Sequence, residues 1–182
     1  MAKIRRRVVG LAPKNPAAVE IGVHRGDFAA EILTVAEPET LHLIDPWRVF
    51  EAPKYERSLY GSRIAQSEMD ARHDAVVARF SPQIAAGQVK ILRKMSQEAA
   101  QSFAPLSLDF IYLDGDHSFE GVSADIAAYW PKLRPGGILA GDDYQRGGWW
   151  QGGVIDAFRH LLAQPDAEVA LKDASQIAVR KL

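Results

Sequence analysis

Short apolar runs alternate along the chain with longer segments in which apolar residues recur at helical spacing. Ala17–Ile21 ends at Gly22 and Leu41–Ile44 ends at Asp45, so each run is bounded by a turn residue as buried strands are. We predict three more strands of this kind, with amphipathic helices between them. These strands are Val89–Arg93, Asp109–Leu113 and Ile138–Ala140, and the helices are Phe28–Ala36, Met69–Phe80, Gln97–Phe103, Phe119–Leu133 and Gly153–Ala163.

The C-terminal part of the chain has a different pattern. Two strand-like runs, Glu168–Leu171 and Gln176–Val179, are separated only by turn residues, which predicts a hairpin. Repeated strand–helix alternation before them requires parallel pairing through right-handed crossovers. The predicted fold class is therefore α/β, a doubly wound and mainly parallel sheet with a C-terminal antiparallel hairpin.

No repeat, low-complexity tract or internal linker interrupts the pattern, so we expect one domain over residues 1–182. Residues 1–15 form an N-terminal extension whose Arg5, Arg6 and Arg7 predict a solvated basic terminus; phosphate or partner binding is the alternative. The long interval Trp47–Ala65 is predicted to be a lid, because loops of this length in compact domains are usually functional or mobile.

Composition narrows the class of protein. With 47% hydrophobic and 25% charged residues the chain is typical of globular proteins, and its net charge of −1 argues against a wide nucleic-acid-binding surface. It contains neither an apolar stretch of transmembrane length nor a full signal-peptide core, so we expect a cytoplasmic protein. The absence of Cys excludes thiol catalysis and Cys-based metal sites.

Ligands of doubly wound sheets bind beyond the carboxyl ends of the strands. Gly22 and Gly26 follow the first strand, and Asp45 follows the second, where a carboxylate can bind both hydroxyls of a ribose. Met95 and Ser96 follow the third strand and could cover and hydrogen-bond a purine. The pattern predicts a nucleoside-bearing ligand, with turn chemistry as the alternative for Asp45 and for Ser96.

Carboxylates follow the fourth and fifth strands at high density. Together with the carboxylate of the second strand, the acidic residues at this edge are Asp45, Asp114, Asp116, Asp142 and Asp143. Their mutual repulsion would raise some of their pKa values unless a cation were present, and hard oxygen ligands suit Mg²⁺ or Ca²⁺. The alternatives are that Asp116 caps the following helix and that one member of the pair Asp142 and Asp143 makes a turn.

Aromatic residues also lie near these strand ends. Trp149 and Trp150 stand between two glycine pairs, where they could form a wall for an acceptor ring or sugar, or pack against a second subunit. Tyr55 and Tyr60 of the lid could contribute to the same pocket.

Several of these motifs together resemble a known family. They are V-E-I-G-x-x-x-G, L-I-D, D-F-I-Y-L-D-G-D-H-S-F-E-G-V-x-x-D-I and P-G-G-I-L-A-G-D-D-Y. The chain resembles the class I S-adenosylmethionine (SAM)-dependent methyltransferases over roughly residues 17–182, and within them the metal-dependent O-methyltransferase branch with macrocin-type and catechol-type enzymes. The resemblance implies a Rossmann-like sheet of seven strands with the last antiparallel.

The resemblance also implies roles for residues of the cofactor site. By this match Glu20, Gly22 and Gly26 hold the methionine part of SAM, Asp45 holds its ribose, and Ser96 its adenine edge.

The same match implies a metal site and a general base. Asp114, Asp142 and Asp143 match the ligands of a divalent cation such as Mg²⁺, and Asp114 also borders the cofactor site. Asp116 matches the general base of the sugar-modifying members, whereas His117 stands where catechol-type members have a catalytic Lys. Two departures are that Asp143 replaces an Asn of the catechol-type enzymes and that we do not expect the N-terminal helices that cap the substrate in many relatives.

The function expected from these observations is metal-assisted O-methylation of a small diol-like, phenolic or sugar acceptor by SAM. Neither nucleic acid nor membrane is expected as a partner, and a second copy of the chain is a candidate one. An NAD(P)-type oxidoreductase would share the sheet and Asp45, but the chain lacks the third glycine and the Tyr-x-x-x-Lys pair of that class. A non-catalytic SAM-fold binding protein would not need the cluster of acids.

Overall fold

The computed structural model describes residues 2–56 and 58–182, which contain seven strands and seven α-helices. The strands are β1 Ala17–Ile21, β2 Thr40–Ile44, β3 Val89–Leu92, β4 Leu108–Leu113, β5 Leu133–Gly141, β6 Ala167–Asp173 and β7 Gln176–Lys181. The helices are α1 Ala2–Val9, α2 Asp27–Val35, α3 Gln66–Arg79, α4 Ser81–Ala85, α5 Ser96–Ala100, α6 Phe119–Tyr129 and α7 Gly153–Leu162. Within these described ranges, no helix has the length and apolarity needed to cross a membrane.

The strands form one sheet in the order β3-β2-β1-β4-β5-β7-β6. Strands β1 to β5 pair in parallel, whereas β7 is antiparallel to both β5 and β6. The predicted doubly wound sheet with its C-terminal hairpin is therefore confirmed. Because the chain proceeds outward from β1 to β3 and then continues at β4 on the other side of β1, the strand order reverses between β1 and β4. Such a reversal opens a crevice at the carboxyl ends of the two strands.

Each face of the sheet buries its own apolar core. Successive residues of a strand point to opposite faces, so Val19 of β1 packs in the core that contains α5, α6 and α7. Its neighbour Ala18 packs in the core that contains α1, α2 and α3. Burial on both faces explains why the central strands β1 and β4 consist largely of apolar residues in the sequence.

The predicted end of one helix is displaced by a proline. We predicted a helix over Phe119–Leu133, but α6 ends at Tyr129 and Trp130–Lys132 form a 3₁₀ turn. Pro131 lacks the N–H that an α-helix requires, and its ring clashes with the preceding turn.

The Pro-Gly-Gly segment between the predicted helix Phe119–Leu133 and the predicted strand Ile138–Ala140 is itself part of a strand. Residues 135–137 lie within β5, which begins at Leu133, next to a shift of register between Leu108 and Phe110 of β4. Gly136 has a φ of +82°, which lets the strand bend there without strain from a side chain.

Helix α1 was not predicted, and it packs onto the domain. Arg5, Val8 and Val9 stand at i, i+3 and i+4, so they share one face of this helix. Val8 and Val9 are fully buried in the core of α2 and β2, which fixes that face against the domain. Arg5 is thereby directed toward the carboxyl ends of β4 and β5.

Candidate active site

Two adjoining cavities occupy the crevice between β1 and β4. The first, of about 350 Å³ and termed here the apolar cavity, lies between Ile21, Phe50, Met95 and Asp125. The second, of about 500 Å³ and termed the polar cavity, lies between Arg5, Glu20, His117 and Asp142. The residues that line both are Gly22, Ser58, Tyr60, Gly115 and Trp149. The two cavities thus form one cleft with an apolar and a charged half.

The β1–α2 loop passes very close to the end of β4. A Cβ atom on Gly22 would lie 2.0 Å from the carbonyl oxygen of Asp114, and Gly22 has a φ of +88°. A Cβ atom on Gly26 would lie 2.7 Å from the Phe80 ring. Both glycines are therefore needed for close packing, but only Gly22 lines the cleft, whereas Gly26 packs on Phe80.

Asp45 connects three segments around the apolar cavity. It is 1% exposed, and its Oδ2 accepts hydrogen bonds from the backbone N–H groups of Val23 (3.0 Å) and His24 (2.9 Å). Its Oδ1 accepts from the N–H of Trp47 at 2.7 Å, and the hydroxyl of Tyr60 also donates to the carboxylate. Asp45 thus connects the β1–α2 loop to the predicted lid. Its binding of a ribose stays a prediction.

The described residues of the predicted lid, Trp47–Ala65, lie over the cleft; Arg57 lies outside the described residues. Phe50 pairs with Gly61 in an isolated bridge, and Tyr55 lines the apolar cavity with its hydroxyl 2.6 Å from Asp116. Trp47, by contrast, is fully buried and its indole N–H donates to the carbonyl of His24 at 2.9 Å. Trp47, the first residue of the segment, is therefore part of the core and holds this end of the segment in place.

A buried acid on α6 completes the inner wall of the apolar cavity. Asp125 is 3% exposed and accepts hydrogen bonds from the Ser96 hydroxyl and from Gln97 Nε2 at 2.7 Å. Burial raises the pKa of Asp125 to about 7, against the hydrogen bond from Ser96, which lowers it. We did not single out this residue in the sequence, although it is the Asp of the V-x-x-D-I motif.

Replacing Asp125 with Asn is expected to stabilise the protein at high pH. The folded chain binds a proton on Asp125 at pH values where the unfolded chain does not, so this group destabilises the fold progressively as the pH rises from about 4 to about 7. Asn keeps the acceptor oxygen and removes the buried charge. We expect a gain of about 1–3 kcal/mol at about pH 8.5 that vanishes near pH 4. Thermal denaturation across this pH range measures it.

Asp156→Asn on the exposed face of α7 is the matched control. It should not alter the pH dependence of the melting temperature. A difference between Asp125→Asn and the parent that is the same at both ends of the pH range would contradict the raised pKa.

The acid cluster at the ends of β4 and β5 is paired with cations of the protein itself. Nη2 of Arg5 donates to Oδ2 of Asp114 at 3.1 Å and to Oδ2 of Asp142. The ring of His117 lies between Asp114 Oδ1 (3.3 Å from Nε2) and Asp143 Oδ2 (3.2 Å from Nδ1). The prediction of a solvated Arg5 is therefore wrong, because α1 directs this side chain into the cleft.

The other two arginines agree with the prediction of a solvated basic terminus. The side chains of Arg6 and Arg7 are 55% and 60% exposed and contact Glu31 and Asp173 at the surface. Only Arg5 lies on the face of α1 that Val8 and Val9 bury.

The described arrangement does not fit the divalent cation that the resemblance implies. Asp142 and Asp114 point to Arg5 and Asp143 points to His117, so the three carboxylates do not share a centre. In residues 2–56 and 58–182, no group of three or more His, Cys, Asp and Glu side chains is placed to hold a metal. A guanidinium between two of the carboxylates also repels a cation. No catalytic step is therefore assigned to a metal.

The two candidate bases lie in different halves of the cleft. Asp116 lines the apolar cavity, and its carboxylate accepts from the Tyr55 hydroxyl (2.6 Å) and the Ser118 N–H (2.9 Å). Burial acts to raise the pKa of Asp116, but these donors and Lys54 outweigh it, so the pKa is lowered. His117 lines the polar cavity, with Trp150 at 5.2 Å from its ring.

The charges around His117 decide its ionisation. Burial acts to lower the pKa of His117, but the neighbouring carboxylates of Asp114 and Asp143 outweigh it, so the pKa is raised. The neutral ring of His117 is thus a stronger base than the carboxylate of Asp116, because the pKa of His117 is raised and the pKa of Asp116 is lowered.

Unpartnered polar atoms concentrate around the polar cavity. Five of the residues that line it each have a buried polar atom without a hydrogen-bond partner among the described residues, namely Arg5 Nε, Glu20 Oε2, His24 Nε2, His117 Nε2 and Trp150 Nε1. Glu20 is 1% exposed, and burial, followed by the charge of Asp114, raises its pKa. Buried polar groups of a folded protein are ordinarily satisfied, so these atoms fit a polar ligand.

Aromatic side chains border both cavities. Trp149 lies between them, 5.6 Å from the Tyr55 ring and 6.1 Å from the Trp150 ring. Tyr60 also lines both cavities, so the lid tyrosines and the two tryptophans do meet in one cleft.

Comparison with known proteins shows the family to which the chain belongs. Residues 19–144 match the family described as a methyltransferase domain, which is more than half of the chain. The chain therefore belongs to this methyltransferase family, and it is a SAM-dependent methyltransferase. No curated protein sequence matches the chain at a significant level.

Solved structures share the fold at low sequence identity. A protein from Corynebacterium glutamicum is 22% identical, with a TM-score of 0.67 over 98% of this chain and 79% of that one. The O-methyltransferase NovP is 19% identical, with a TM-score of 0.65 over 98% and 78% of the two chains. The O-methyltransferase from Bacillus cereus, in complex with S-adenosylhomocysteine (SAH), is 15% identical, with a TM-score of 0.65 over 99% and 80%.

Proposed function

We propose that this methyltransferase transfers the methyl group of SAM to an oxygen of a small diol-like, phenolic or sugar acceptor. The observation that supports this most directly is the division of one cleft into an apolar and a charged half that meet at Gly22 and Gly115. A cofactor with a nucleoside at one end and a charged amino acid at the other matches that division. The fold shared with two O-methyltransferases supports oxygen as the methylated atom.

The nucleoside of SAM is assigned to the apolar cavity. Asp45 stands at the end of β2, where a carboxylate can bind ribose hydroxyls, and Met95 and Ser96 stand at the end of β3 beside Asp125. The raised pKa of Asp125 lets it donate or accept a proton in a hydrogen bond with a purine edge.

The methionine part of SAM is assigned to the polar cavity. Glu20 Oε2 is buried there without a partner among the described residues, so it can accept a hydrogen bond from the ammonium group. A positive ligand charge beside Glu20 would also favour the ionised form of a carboxyl whose pKa burial raises.

The acceptor is assigned to the polar cavity between His117 and the two tryptophans. Its oxygen attacks the methyl carbon, the carbon–sulfur bond breaks with its electron pair left on sulfur, and the hydroxyl proton passes to His117. We favour His117 over Asp116 because His117 lines the polar cavity, whereas Asp116 is held by Tyr55 and Ser118 on the other side. The metal assistance that the resemblance implies is not part of this proposal, because the described carboxylates do not share a centre.

Calorimetric titration with SAM, SAH and NAD tests the cofactor assignment. We expect SAM and SAH to bind and NAD, which shares the adenosine but lacks the amino acid, not to bind. Glu20→Gln should weaken SAH binding by about tenfold through loss of a charge-assisted hydrogen bond. Equal affinities of Glu20→Gln and parent for SAH would remove Glu20 from the site.

Release of SAH with a panel of catechols, phenols and vicinal-diol sugars tests the reaction. Turnover with at least one oxygen acceptor, and methylation at its oxygen by mass spectrometry, is the expected result. If only an amine or thiol acceptor reacts, the assignment to oxygen is wrong while the cofactor site stands.

A further inference from the structure

The carboxyl ends of β1, β4 and β5 concentrate negative charge in a small volume. Glu20, Asp114 and Asp142 all line the polar cavity, and Glu20 and Asp142 are 1% and 4% exposed. Carboxylates this close together in a water-poor site repel one another strongly, so the fold needs a counter-charge there.

Arg5 supplies a counter-charge from a different part of the chain. One nitrogen of its guanidinium, Nη2, contacts both Asp114 and Asp142, which bridges the ends of β4 and β5. The guanidinium carbon lies 5.3 Å from the ring centre of Phe28 and 5.9 Å from that of Tyr112. Aromatic faces at this distance stabilise a cation that is partly removed from water.

Other contacts hold the carboxylates in this arrangement. The second oxygen of Asp142, Oδ1, accepts from Gln176 Nε2 and from the backbone N–H of Asp143 at 2.8 Å. Each oxygen of Asp142 therefore already has a donor of the protein. The burial of Val8 and Val9, one turn beyond Arg5, holds α1 in place.

We propose that Arg5 is the resident counter-ion of the acid cluster and takes the place of the divalent cation that the motifs of Asp114, Asp142 and Asp143 would otherwise bind. A guanidinium is charged at all physiological pH values and can bind two carboxylates at once, so it can fix the positions of Asp114 and Asp142. Arg5 is then a positioning residue, and methyl transfer does not require an added metal. Removal of Arg5 uncovers a latent metal site formed by the carboxylates.

Titration with Mn²⁺ followed by electron paramagnetic resonance tests the proposal. Mn²⁺ prefers the same oxygen ligands as Mg²⁺. We expect no stoichiometric binding to the parent protein and binding of one Mn²⁺ by Arg5→Met, with an affinity at least about tenfold higher than any residual binding to the parent. Met keeps the apolar stem over Phe28 and Tyr112. Arg5→Lys, which keeps the charge, should not bind Mn²⁺.

Two further variants assign the effect to this site. Arg7→Met removes an exposed arginine from the same helix and should behave as the parent. Asp142→Asn added to Arg5→Met should abolish Mn²⁺ binding. Activity of the parent should be the same in EDTA and in Mg²⁺.

Binding of one Mn²⁺ to the parent that is lost in Asp142→Asn would overturn the proposal, and so would a folded Arg5→Met that binds no Mn²⁺. If Arg5→Met does not fold, Arg5→Gln, which also removes the positive charge, takes its place in the same titration. The proposal concerns the same cleft as the proposed function and rests on it for its relation to methyl transfer. The Mn²⁺ readout does not depend on finding an acceptor, so the two can fail separately.

Discussion

Replacement of His117 by Gln is expected to lower kcat for methyl transfer by about 10²–10⁴-fold, the usual contribution of a positioned general base. Gln can still form hydrogen bonds in the space between Asp114 and Asp143, but it cannot take the proton of the acceptor hydroxyl. SAH affinity should change less than about threefold, since His117 is assigned to the acceptor and not to the cofactor. Single-turnover transfer of a labelled methyl group and calorimetry with SAH measure the two quantities.

Asp116→Asn is the matched control for this experiment. Asn keeps one oxygen to accept from the Ser118 N–H, and the Tyr55 hydroxyl can rotate to accept from the Asn NH₂ group, so the local fold is kept. We expect a fall in kcat of less than about tenfold, because this carboxylate is already occupied by donors in the apolar half of the cleft. If Asp116→Asn shows the large loss and His117→Gln the small one, Asp116 is the base.

The sheet and the edge at which the site lies could be predicted from the sequence. Strands buried on both faces give largely apolar runs, and three of them, Ala17–Ile21, Leu41–Ile44 and Asp109–Leu113, are followed directly by Gly22, Asp45 and Asp114. Since parallel strands end at the same edge of a sheet, the residues after them had to meet. Glu20, Asp45 and Asp114 do lie around one cleft.

The partners of these side chains could not be predicted in the same way. Arg5 is separated from Asp142 by most of the chain, and a run of three arginines does not say which of them will be buried. The sequence feature that indicates the burial of Arg5 is its spacing to Val8 and Val9, which places the three residues on one face of a helix. Eight residues, however, are too few for a helical periodicity to be distinguished from chance. The acid cluster was consequently assigned to a metal, because no cation of the chain was known to reach it.

Replacement of Asp45 by Ala is expected to weaken SAH binding by about 1.5–3 kcal/mol. The variant loses the charge-assisted hydrogen bonds to the ribose and the hydrogen bonds that hold the β1–α2 loop in place. In the absence of the carboxylate, the N–H groups of Val23, His24 and Trp47 lose their acceptor. Buried donors without acceptors are costly, at roughly 1–3 kcal/mol each, so the melting temperature should also fall.

Tyr60→Phe removes the contact between the lid and Asp45, and thereby the link from the lid to the β1–α2 loop. It removes the hydroxyl that donates to Asp45 and leaves the three backbone bonds intact, so SAH affinity should fall much less than in Asp45→Ala. We expect SAH to slow trypsin cleavage within residues 47–65 in the parent. In Tyr60→Phe we expect SAH to slow cleavage less, because the closed lid lacks the hydrogen bond from residue 60 to Asp45. Calorimetry, thermal denaturation and timed proteolysis measure the three effects.

An Asp45→Ala protein that melts at a lower temperature and yet binds SAH as tightly as the parent would limit Asp45 to holding the loop, and the ribose would then have to be bound by other groups of the apolar cavity.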